Sequence, residues 1–317
     1  MNLQQLRYLN EIVRCGLNIS DAANSLYTSQ PGVSKQIKLL EEELGIDIFV
    51  RNGKRIVAIT EPGKAVLGIA QRVLHETENM KQVGLEFRKQ DSGSLTIATT
   101  HTQARYALPS VVKEFTKIYP GVKLGLHQGS PTQIVEQVLS GEANIGIATE
   151  SLALYDELVT LPCYEWQHML VLPAGHPLAG KERIALEDLA SEPLITYHPS
   201  FAGRARIDQA FAQRKLEPRI VLEAIDSDVI TTYVGLGMGL GIVAEMAVRT
   251  LPAQASEGAL AARPLGHLFG QNVARVAFKR GAYLRNFVYE FAELLSERLK
   301  RELVERAMSG HVSNYEL

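Results

Sequence analysis

The chain has 317 residues, of which 46% are hydrophobic and 21% are charged, and its formal net charge is −2. This length predicts one small domain and one larger domain with a sizeable core, and the weak net charge indicates no class of partner. The two cysteines, Cys15 and Cys163, indicate neither a disulfide framework nor a paired-cysteine metal site. Because we find no secretion signal and no apolar run of membrane length, we expect a cytoplasmic protein without a membrane partner.

The first three predicted elements are helices. The first is predicted by an apolar stripe of Leu3, Leu6, Leu9 and Val13. After a break at Gly16, residues 19–26 predict a very short second helix. The third helix begins with Ser29 as its N-cap and has Pro31 in its first turn, where a missing N–H costs nothing. We expect it to bury its apolar residues Val33, Ile37, Leu40 and Leu44.

The outward face of the third helix is predicted to carry Gln30, Ser34, Lys35 and Lys38. A short helix, a tight turn and a polar-faced second helix are typical of a helix-turn-helix motif, whose second helix contacts base edges in the major groove. Beyond it, residues 46–51 and 56–59 flank Asn52-Gly53, a strong hairpin signal. We interpret the hairpin as a wing; the alternative is an ordinary solvated turn.

Cations around the wing tip would contact phosphates. The first sixty residues contain seven Lys/Arg and six Asp/Glu, so a DNA footprint must come from cations on one face rather than from overall charge. The predicted DNA contacts are Gln30, Pro31, Ser34, Lys35, Lys38, Arg51, Lys54 and Arg55.

A long helix is predicted from Thr60 and Pro62 to about residue 90. Roughly thirty helical residues span about 45 Å, which is longer than a small domain needs. Its apolar stripe alternates steps of four and three: Val66, Ala70, Val73, Thr77, Met80, Gly84 and Phe87. Packing on its own domain is one explanation, but we favour pairing with the same helix of a second subunit, which would place two recognition helices on successive major-groove faces.

From Ser94 onward, short apolar strands alternate with helices, which predicts parallel sheets and an α/β fold. One βαβαβ run covers residues 95–148, a second set covers 169–243, and a strand near 274–278 and a closing helix from about Tyr283 to Val304 follow. We therefore predict a DNA-binding domain (1–60), a linker helix (61–90) and a bilobal effector domain (91–317). Lobe I would comprise about 91–163 and 267–317, and lobe II about 164–266, with a ligand cleft between them.

Polar residues follow the predicted strands of lobe I. Thr99 to Gln103 follow the first strand and begin a helix, Ser130 and Thr132 begin the next helix, and Thr149 ends the third strand. Each is more often simply a helix cap. Together, at the carboxyl edge where open α/β sheets bind ligands, they predict an anion site built from neutral donors.

An enzyme is the main alternative, but the sequence offers no catalytic constellation. The histidines are scattered without metal-ligand spacing, and the glycine run 235–241 follows a helix and leads into a strand, the reverse of a dinucleotide loop. His101 and Cys163 lack partners, so we interpret them as a polar cap neighbour and a buried thiol. A solute receptor for transport would need a secretion signal and no DNA-binding domain. We expect no catalysis, no metal and no cofactor.

Residues 29–51 match the pattern Ser-Gln-Pro, Ser-x-Gln-Ile, Leu-Glu and Leu-Gly-x-x-x-Phe-x-Arg, which resembles that of the LysR-type transcriptional regulators. Residues 26–32, 99–109 and 127–133 are similar to the CysB-like branch of that family, which controls sulfur assimilation and cysteine biosynthesis. The resemblance extends over nearly the whole chain. It implies a winged helix-turn-helix followed by a bilobal, periplasmic-binding-protein-like effector domain.

The resemblance also implies ligands and partners. Positions matching Thr100, Thr102, Gln103 and Thr149 bind sulfate or the acetylserine inducer in that branch. We therefore expect an activator that binds double-stranded promoter DNA, contacts RNA polymerase and assembles from homodimers into a homotetramer. Its inducer would be a small anionic or zwitterionic metabolite, O-acetylserine or N-acetylserine, with sulfate or thiosulfate as anti-inducer. A related sulfonate or taurine regulon is the alternative.

One position departs from the branch. Where a threonine generally stands in lobe II, this chain has Ala202, within Phe201-Ala202-Gly203-Arg204. A hydroxyl donor is missing there, although backbone N–H groups around Gly203 could still hold a ligand. Since a lost hydrogen bond to a charged group costs roughly 1.5–3 kcal/mol, we expect sulfate to bind more weakly than in relatives that keep the threonine.

Overall fold

The computed structural model describes residues 1–53, 55–88, 91–248 and 259–310. They form two compact units, Met1–Arg88 and Lys89–Leu317. The first unit contains helices α1 (Leu3–Arg14), α2 (Ile19–Ser25), α3 (Gln30–Leu44) and α4 (Glu61–Arg88) and strands β1 (Phe49–Asn52) and β2 (Arg55–Ile59).

The predicted helix-turn-helix and wing are confirmed. Ser29 caps α3 by accepting from the N–H of Gly32 at 3.3 Å, and β1 pairs with β2 in an antiparallel hairpin that brings Asn52 opposite Arg55. Gly53 has a φ of 62°, which a glycine adopts without strain. Lys54 lies outside the described residues.

The core of the first unit contains most of the predicted apolar residues, including Leu6, Leu9, Val33, Ile37 and Leu40. The prediction for Leu44 was wrong, because 38% of its side chain is exposed. Leu44 is the last residue of α3, and Gly45 then turns the chain in a left-handed conformation. Ile48 and Phe49 are fully buried in the same core and fill the space beside the end of the helix.

The second unit contains nine strands and nine α-helices within the described residues. The strands are β3 (Ser92–Thr99), β4 (Gly121–Gln128), β5 (Ile145–Thr149), β6 (Leu158–Pro173), β7 (Pro193–Tyr197), β8 (Arg219–Ala224), β9 (Leu240–Ala244), β10 (Leu260–Pro264) and β11 (Gln271–Lys279). The helices are α5 (Leu108–Ile118), α6 (Pro131–Ser140), α7 (Leu186–Ala190), α8 (Ala202–Gln213), α9 (Ser227–Gly235), α10 (Glu245–Val248), α11 (Gly266–Phe269), α12 (Asn286–Leu295) and α13 (Arg301–Met308). A π-helical turn, Gln103–Ala107, leads into α5.

Two groups of parallel strands lie in one mixed nine-stranded sheet, in which the long strand β6 connects them through antiparallel pairs. In lobe I, β3 is parallel to β4 and to β5, and in lobe II, β7 is parallel to β8 and to β9. Strand β6 pairs with β11 from Leu158 to Gln167 and then with β9 from His168 onward, so it passes from one lobe to the other. The predicted α/β fold with two lobes is therefore confirmed, and within the described residues one strand, β6, extends through both lobes.

The closing helix predicted over 283–304 was wrong, because α12 ends at Leu295 and α13 starts at Arg301. Ser296 is extended, and its hydroxyl donates to the carbonyl of Cys163 at 2.8 Å, which holds the chain against β6 between the two helices. The glycine run after α9 serves packing, as predicted. A Cβ at Gly239 would lie 2.5 Å from the carbonyl oxygen of Pro193, and one at Gly241 would lie 2.8 Å from Val234.

Candidate DNA and effector sites

The first turns of α3 form an exposed polar face. Gln30, Pro31, Lys35 and Lys38 are exposed and Ser34 is half-buried. The amide of Gln30 donates to the Ser34 hydroxyl at 3.3 Å, and Lys38 lies 3.6 Å from Glu42. All of these residues except Lys35 line a groove of about 740 Å³, together with Glu41, Arg51 and the segment from Gly45 to Asp47. The face presents amide, hydroxyl and ammonium donors, the groups that contact base edges and phosphates.

Two wing arginines lie in different surroundings. Arg55 is exposed and lines a second groove of about 420 Å³ with Asn18 and Gln30, so its cation is available beside the recognition helix. Arg51 instead pairs with the buried carboxylate of Glu41 at 2.8 Å. The positive charge of Arg51 is therefore partly neutralised by Glu41 within the domain.

Glu41 is a structural residue that the sequence analysis missed. It is 6% exposed and accepts hydrogen bonds from the N–H groups of Ile48 and Phe49 at 2.9 and 3.2 Å, in addition to pairing with Arg51. One carboxylate of α3 therefore holds the start of the wing. The Leu-Glu pair of the motif at residues 40–41 was the available signal, but nothing local indicated what the glutamate binds.

Glu41→Ala is expected to lower the free energy of unfolding of the first unit by about 2–4 kcal/mol, because two buried N–H groups lose their acceptor and Arg51 loses its partner. Glu42→Ala is the matched control: it removes an exposed neighbour of the same type and should change stability by no more than about 0.5 kcal/mol. Urea unfolding of the full chain checks both variants, and equal effects would contradict the assignment.

The linker helix has two different halves. Near its start, Val66, Ala70 and Leu74 pack in the core of the first unit. The stripe residues from Val73 onward are more exposed: Val73 is 37% exposed, Met80 73% and Phe87 81%. The intramolecular explanation of the stripe therefore holds for the first half, and the second half presents apolar side chains at its surface.

The predicted ligand residues of lobe I lie at one sheet edge. Strands β3, β4 and β5 end at Thr99, Gln128 and Thr149, and their registers align Thr99 with Gln128 and with Ile147. Thr100 and Thr149 are 8% exposed, Gln103 is 2% exposed and Thr102 is half-buried. Ser130 accepts from the N–H of Gln133 at 3.4 Å in a capping box, and Thr132 is exposed.

Two buried tyrosines lie beside these residues. The hydroxyl of Tyr164, on β6, donates to the side-chain oxygen of Gln103. The hydroxyl of Tyr197, at the end of β7, hydrogen-bonds Ser227 at 2.6 Å and accepts from the N–H of Ala244 at 2.9 Å, with Thr102 nearby. Burial raises the pKa of both tyrosines, so both are neutral at physiological pH.

In lobe II, the first turn of α8 packs closely against two side chains of β6. Gly203 is buried, and a Cβ there would lie 3.1 Å from both the Nε2 atom of His168 and the ring of Trp166. Burial lowers the pKa of His168 to about 4, so this imidazole is neutral at physiological pH. The side chain of Ala202 lies outside the described part.

The arginine beside Gly203 does not serve as a free cation. The Arg204 guanidinium donates to Asp208, to Glu223 and to the carbonyl of Tyr197, at 2.7–2.8 Å. The positive charge of Arg204 is therefore paired within lobe II.

A second contact between the lobes centres on Asp228. Its carboxylate accepts from the Tyr106 hydroxyl at 2.6 Å and lies 3.5 Å from Arg105 and 3.9 Å from His101. Burial and the Asp228 carboxylate raise the pKa of Tyr106 to about 12, so Tyr106 is a donor. The carboxylate of Asp226 lies close to His101 and Asp228. Because Asp228 already faces the Arg105 guanidinium and the Tyr106 hydroxyl, we interpret the group as an ion-paired contact between the lobes.

Cys163 is not an activated nucleophile. It is 3% exposed, and burial raises the pKa of its thiol to about 12. A thiol in this state carries negligible thiolate at neutral pH, and only the thiolate is a strong nucleophile.

A winged helix-turn-helix followed by a bilobal α/β domain defines a ligand-responsive DNA-binding regulator. Residues 3–64 match the family "Bacterial regulatory helix-turn-helix protein, lysR family", and residues 88–300 match the "LysR substrate binding domain". The chain therefore belongs to the LysR family of bacterial transcriptional regulators. Family members and relatives are regulators, which confirms that the chain is not an enzyme.

Relatives place the chain in the CysB-like branch, as predicted. It is 53% identical over 317 residues to the HTH-type transcriptional regulator CysB of Burkholderia cenocepacia, with 100% of both chains covered. It is 52% identical over 299 residues to the regulator SsuR of the same organism, covering 94% of this chain and 96% of SsuR.

A solved structure gives the same result for the second unit. The crystal structure of the cofactor-binding domain of the Cbl transcriptional regulator has 46% sequence identity and a TM-score of 0.64, covering 68% of this chain and 93% of that domain.

Among the described residues, we find no helix with the length and apolar character needed to span a membrane.

Proposed function

We propose that this protein is a cytoplasmic transcriptional activator of sulfur assimilation and cysteine biosynthesis genes. O-acetylserine or N-acetylserine would be its inducer, and sulfate or thiosulfate its anti-inducer. The observation that carries the proposal is the group of buried donors at the carboxyl edge of lobe I, formed by Thr100, Gln103 and Thr149, in a chain 53% identical to CysB.

The chemistry of the edge supports an oxyanion ligand. Hydroxyl and amide groups can donate to every oxygen of a small anion, and a desolvated site strengthens each of these hydrogen bonds. Because the donors are neutral, the same site suits a carboxylate with an amide or ammonium substituent. Acetylserine has these groups and a larger contact area than sulfate.

On the DNA side, the proposed contacts are the exposed face of α3 for base edges and Arg55 for phosphates, with Arg51 and Lys54 as further wing cations. A dimer formed through α4 would present two recognition helices to a two-fold symmetric promoter site. We propose that two dimers form a homotetramer and that the promoter-bound protein contacts RNA polymerase.

A regulon for sulfonate or taurine use is the second candidate. The nearly equal identities to CysB and SsuR, 53% and 52%, favour neither relative. Comparing the affinity for a cysteine-biosynthesis promoter with that for a sulfonate-utilisation promoter, at one salt concentration, separates the two proposals.

Lys35→Ala is expected to weaken promoter binding by about 1–3 kcal/mol, because Lys35 is exposed on the recognition face. Calorimetric binding of N-acetylserine and sulfate to the same variant should equal that of the wild type, since the substitution lies in the other unit. Arg55→Ala should instead weaken binding to specific and nonspecific DNA alike and reduce the salt slope by about one.

Two results would contradict the proposed function. Normal promoter affinity of Lys35→Ala in gel-shift titrations would remove α3 as the recognition helix. A wild-type protein that binds neither sulfate nor acetylserines would remove the proposed ligands.

A further inference from the structure

We propose that Tyr164 is a positioning residue that sets the specificity of the effector site by fixing the direction of the Gln103 side-chain amide. This inference rests on the proposed function, because it assumes that the edge of lobe I holds an oxyanion. A glutamine amide has an oxygen that only accepts and an NH₂ that only donates, so its direction decides which chemistry it offers.

The geometry points to one direction. The Tyr164 hydroxyl donates to the Gln103 oxygen, and within the described part of the chain this is the hydroxyl's only hydrogen bond. Burial raises the pKa of Tyr164, so the hydroxyl keeps its proton. If the amide were reversed, the NH₂ would face the hydroxyl and the phenolic proton would lose its acceptor at a buried position. The native direction therefore leaves the NH₂ of Gln103 for a ligand.

Both partners are held in place by the fold. Tyr164 lies on β6 opposite Ala274, where the central strand approaches the second lobe, and packs with Trp166 and Ala274. Gln103 is 2% exposed and begins the π-helical turn after β3. Such turns occur frequently at functional sites. A rigid tyrosine on one element and a glutamine on another thus define a donor before any ligand arrives.

The two proposed ligands should respond differently to loss of this hydroxyl. Sulfate can only accept hydrogen bonds at neutral pH, so it needs the NH₂. N-acetylserine has a hydroxyl and an amide N–H that can donate to a reversed Gln103 amide. Freeing the amide should therefore harm sulfate binding more than N-acetylserine binding.

The test is calorimetric titration of the full chain with sodium sulfate and with N-acetyl-L-serine. Tyr164→Phe should raise the sulfate Kd in proportion to the population of the reversed amide, about tenfold where that orientation reaches nine-tenths, and should raise the N-acetylserine Kd less, because that ligand can also bind the reversed amide. In a Gln103→Ala background, Tyr164→Phe should have almost no further effect on either ligand. Tyr155→Phe, a half-buried tyrosine elsewhere in lobe I, is the control and should match the wild type.

Three results overturn the inference while leaving the proposed function intact. They are an unchanged sulfate Kd for Tyr164→Phe, an equal loss of affinity for both ligands, and the same loss of affinity whether residue 103 is Gln or Ala. Binding of N-acetylserine without any binding of sulfate by the wild type overturns it as well. If the wild type binds neither ligand, the proposed function fails first, and the inference fails with it.

Discussion

Val73→Glu is expected to dissociate the α4 pair of the full chain at micromolar concentration, so that the variant sediments as a smaller species than the wild type. Val73 is 37% exposed, at the point where the stripe of α4 passes from the core of the first unit to its surface, ahead of Met80 and Phe87. In a two-fold symmetric helix pair, the substitution would bury one unpaired carboxylate from each subunit. Each such charge costs about 3–5 kcal/mol, so the dimer Kd should rise more than a hundredfold.

Gln71→Glu is the matched control, because it adds the same charge to the same helix at an exposed position outside the stripe. Analytical ultracentrifugation of both variants and the wild type measures the effect. A wild-type chain that is monomeric at high concentration, or a loss of association in both variants, would show that the α4 stripe is not the dimer contact.

Local signals predicted a large part of the fold. Ser29 and Pro31 defined the start of α3, Asn52-Gly53 defined the wing turn, and the apolar runs of β3 and β5 defined a parallel sheet. These features depend on residues adjacent in sequence, where capping, turn conformation and hydrophobic periodicity act directly. That the polar residues after these strands share one edge followed from the same logic, since parallel strands end at one side of a sheet; ligand binding at this edge stays a prediction.

Contacts between distant residues could not be predicted in this way. Tyr164 and Gln103 are 61 positions apart, and Tyr106 and Asp228 are 122 apart. No spacing or composition signal connects such pairs, because they meet only after distant strands and helices have packed together. Leu44 was assigned to the core for a related reason. Helical periodicity predicts on which face of α3 a residue lies, but not how far along the helix the packing partner extends.

Gly63→Ala is expected to destabilise the first unit by about 3 kcal/mol or more and to weaken DNA binding. Gly63 lies in the first turn of α4, and a Cβ there would overlap the carbonyl oxygen of Ile48 and lie 2.9 Å from Ile59. Because the carbonyl oxygen of Ile48 belongs to the backbone, no change of side-chain rotamer can relieve this overlap. The wing must therefore move away from α4. That movement would break the contacts of Thr60, whose hydroxyl donates to the carbonyl of Asp47 at 2.7 Å and accepts from the N–H of Gly63 at 2.9 Å.

Gly68→Ala is the same substitution five residues further along α4, where the nearest atom to the new Cβ is the end of the Arg72 side chain at 3.8 Å. Alanine is a better helix former than glycine, so this variant should be more stable by about 0.5–1 kcal/mol. The two variants should therefore shift the unfolding temperature of the first unit in opposite directions in calorimetry of the full chain. Because the wing is proposed to contact phosphates, Gly63→Ala should also lose affinity for specific and nonspecific DNA in similar proportion. Equal unfolding temperatures for the two variants would contradict the packing described at Gly63, and a loss confined to the specific promoter would contradict a phosphate-contacting role for the wing.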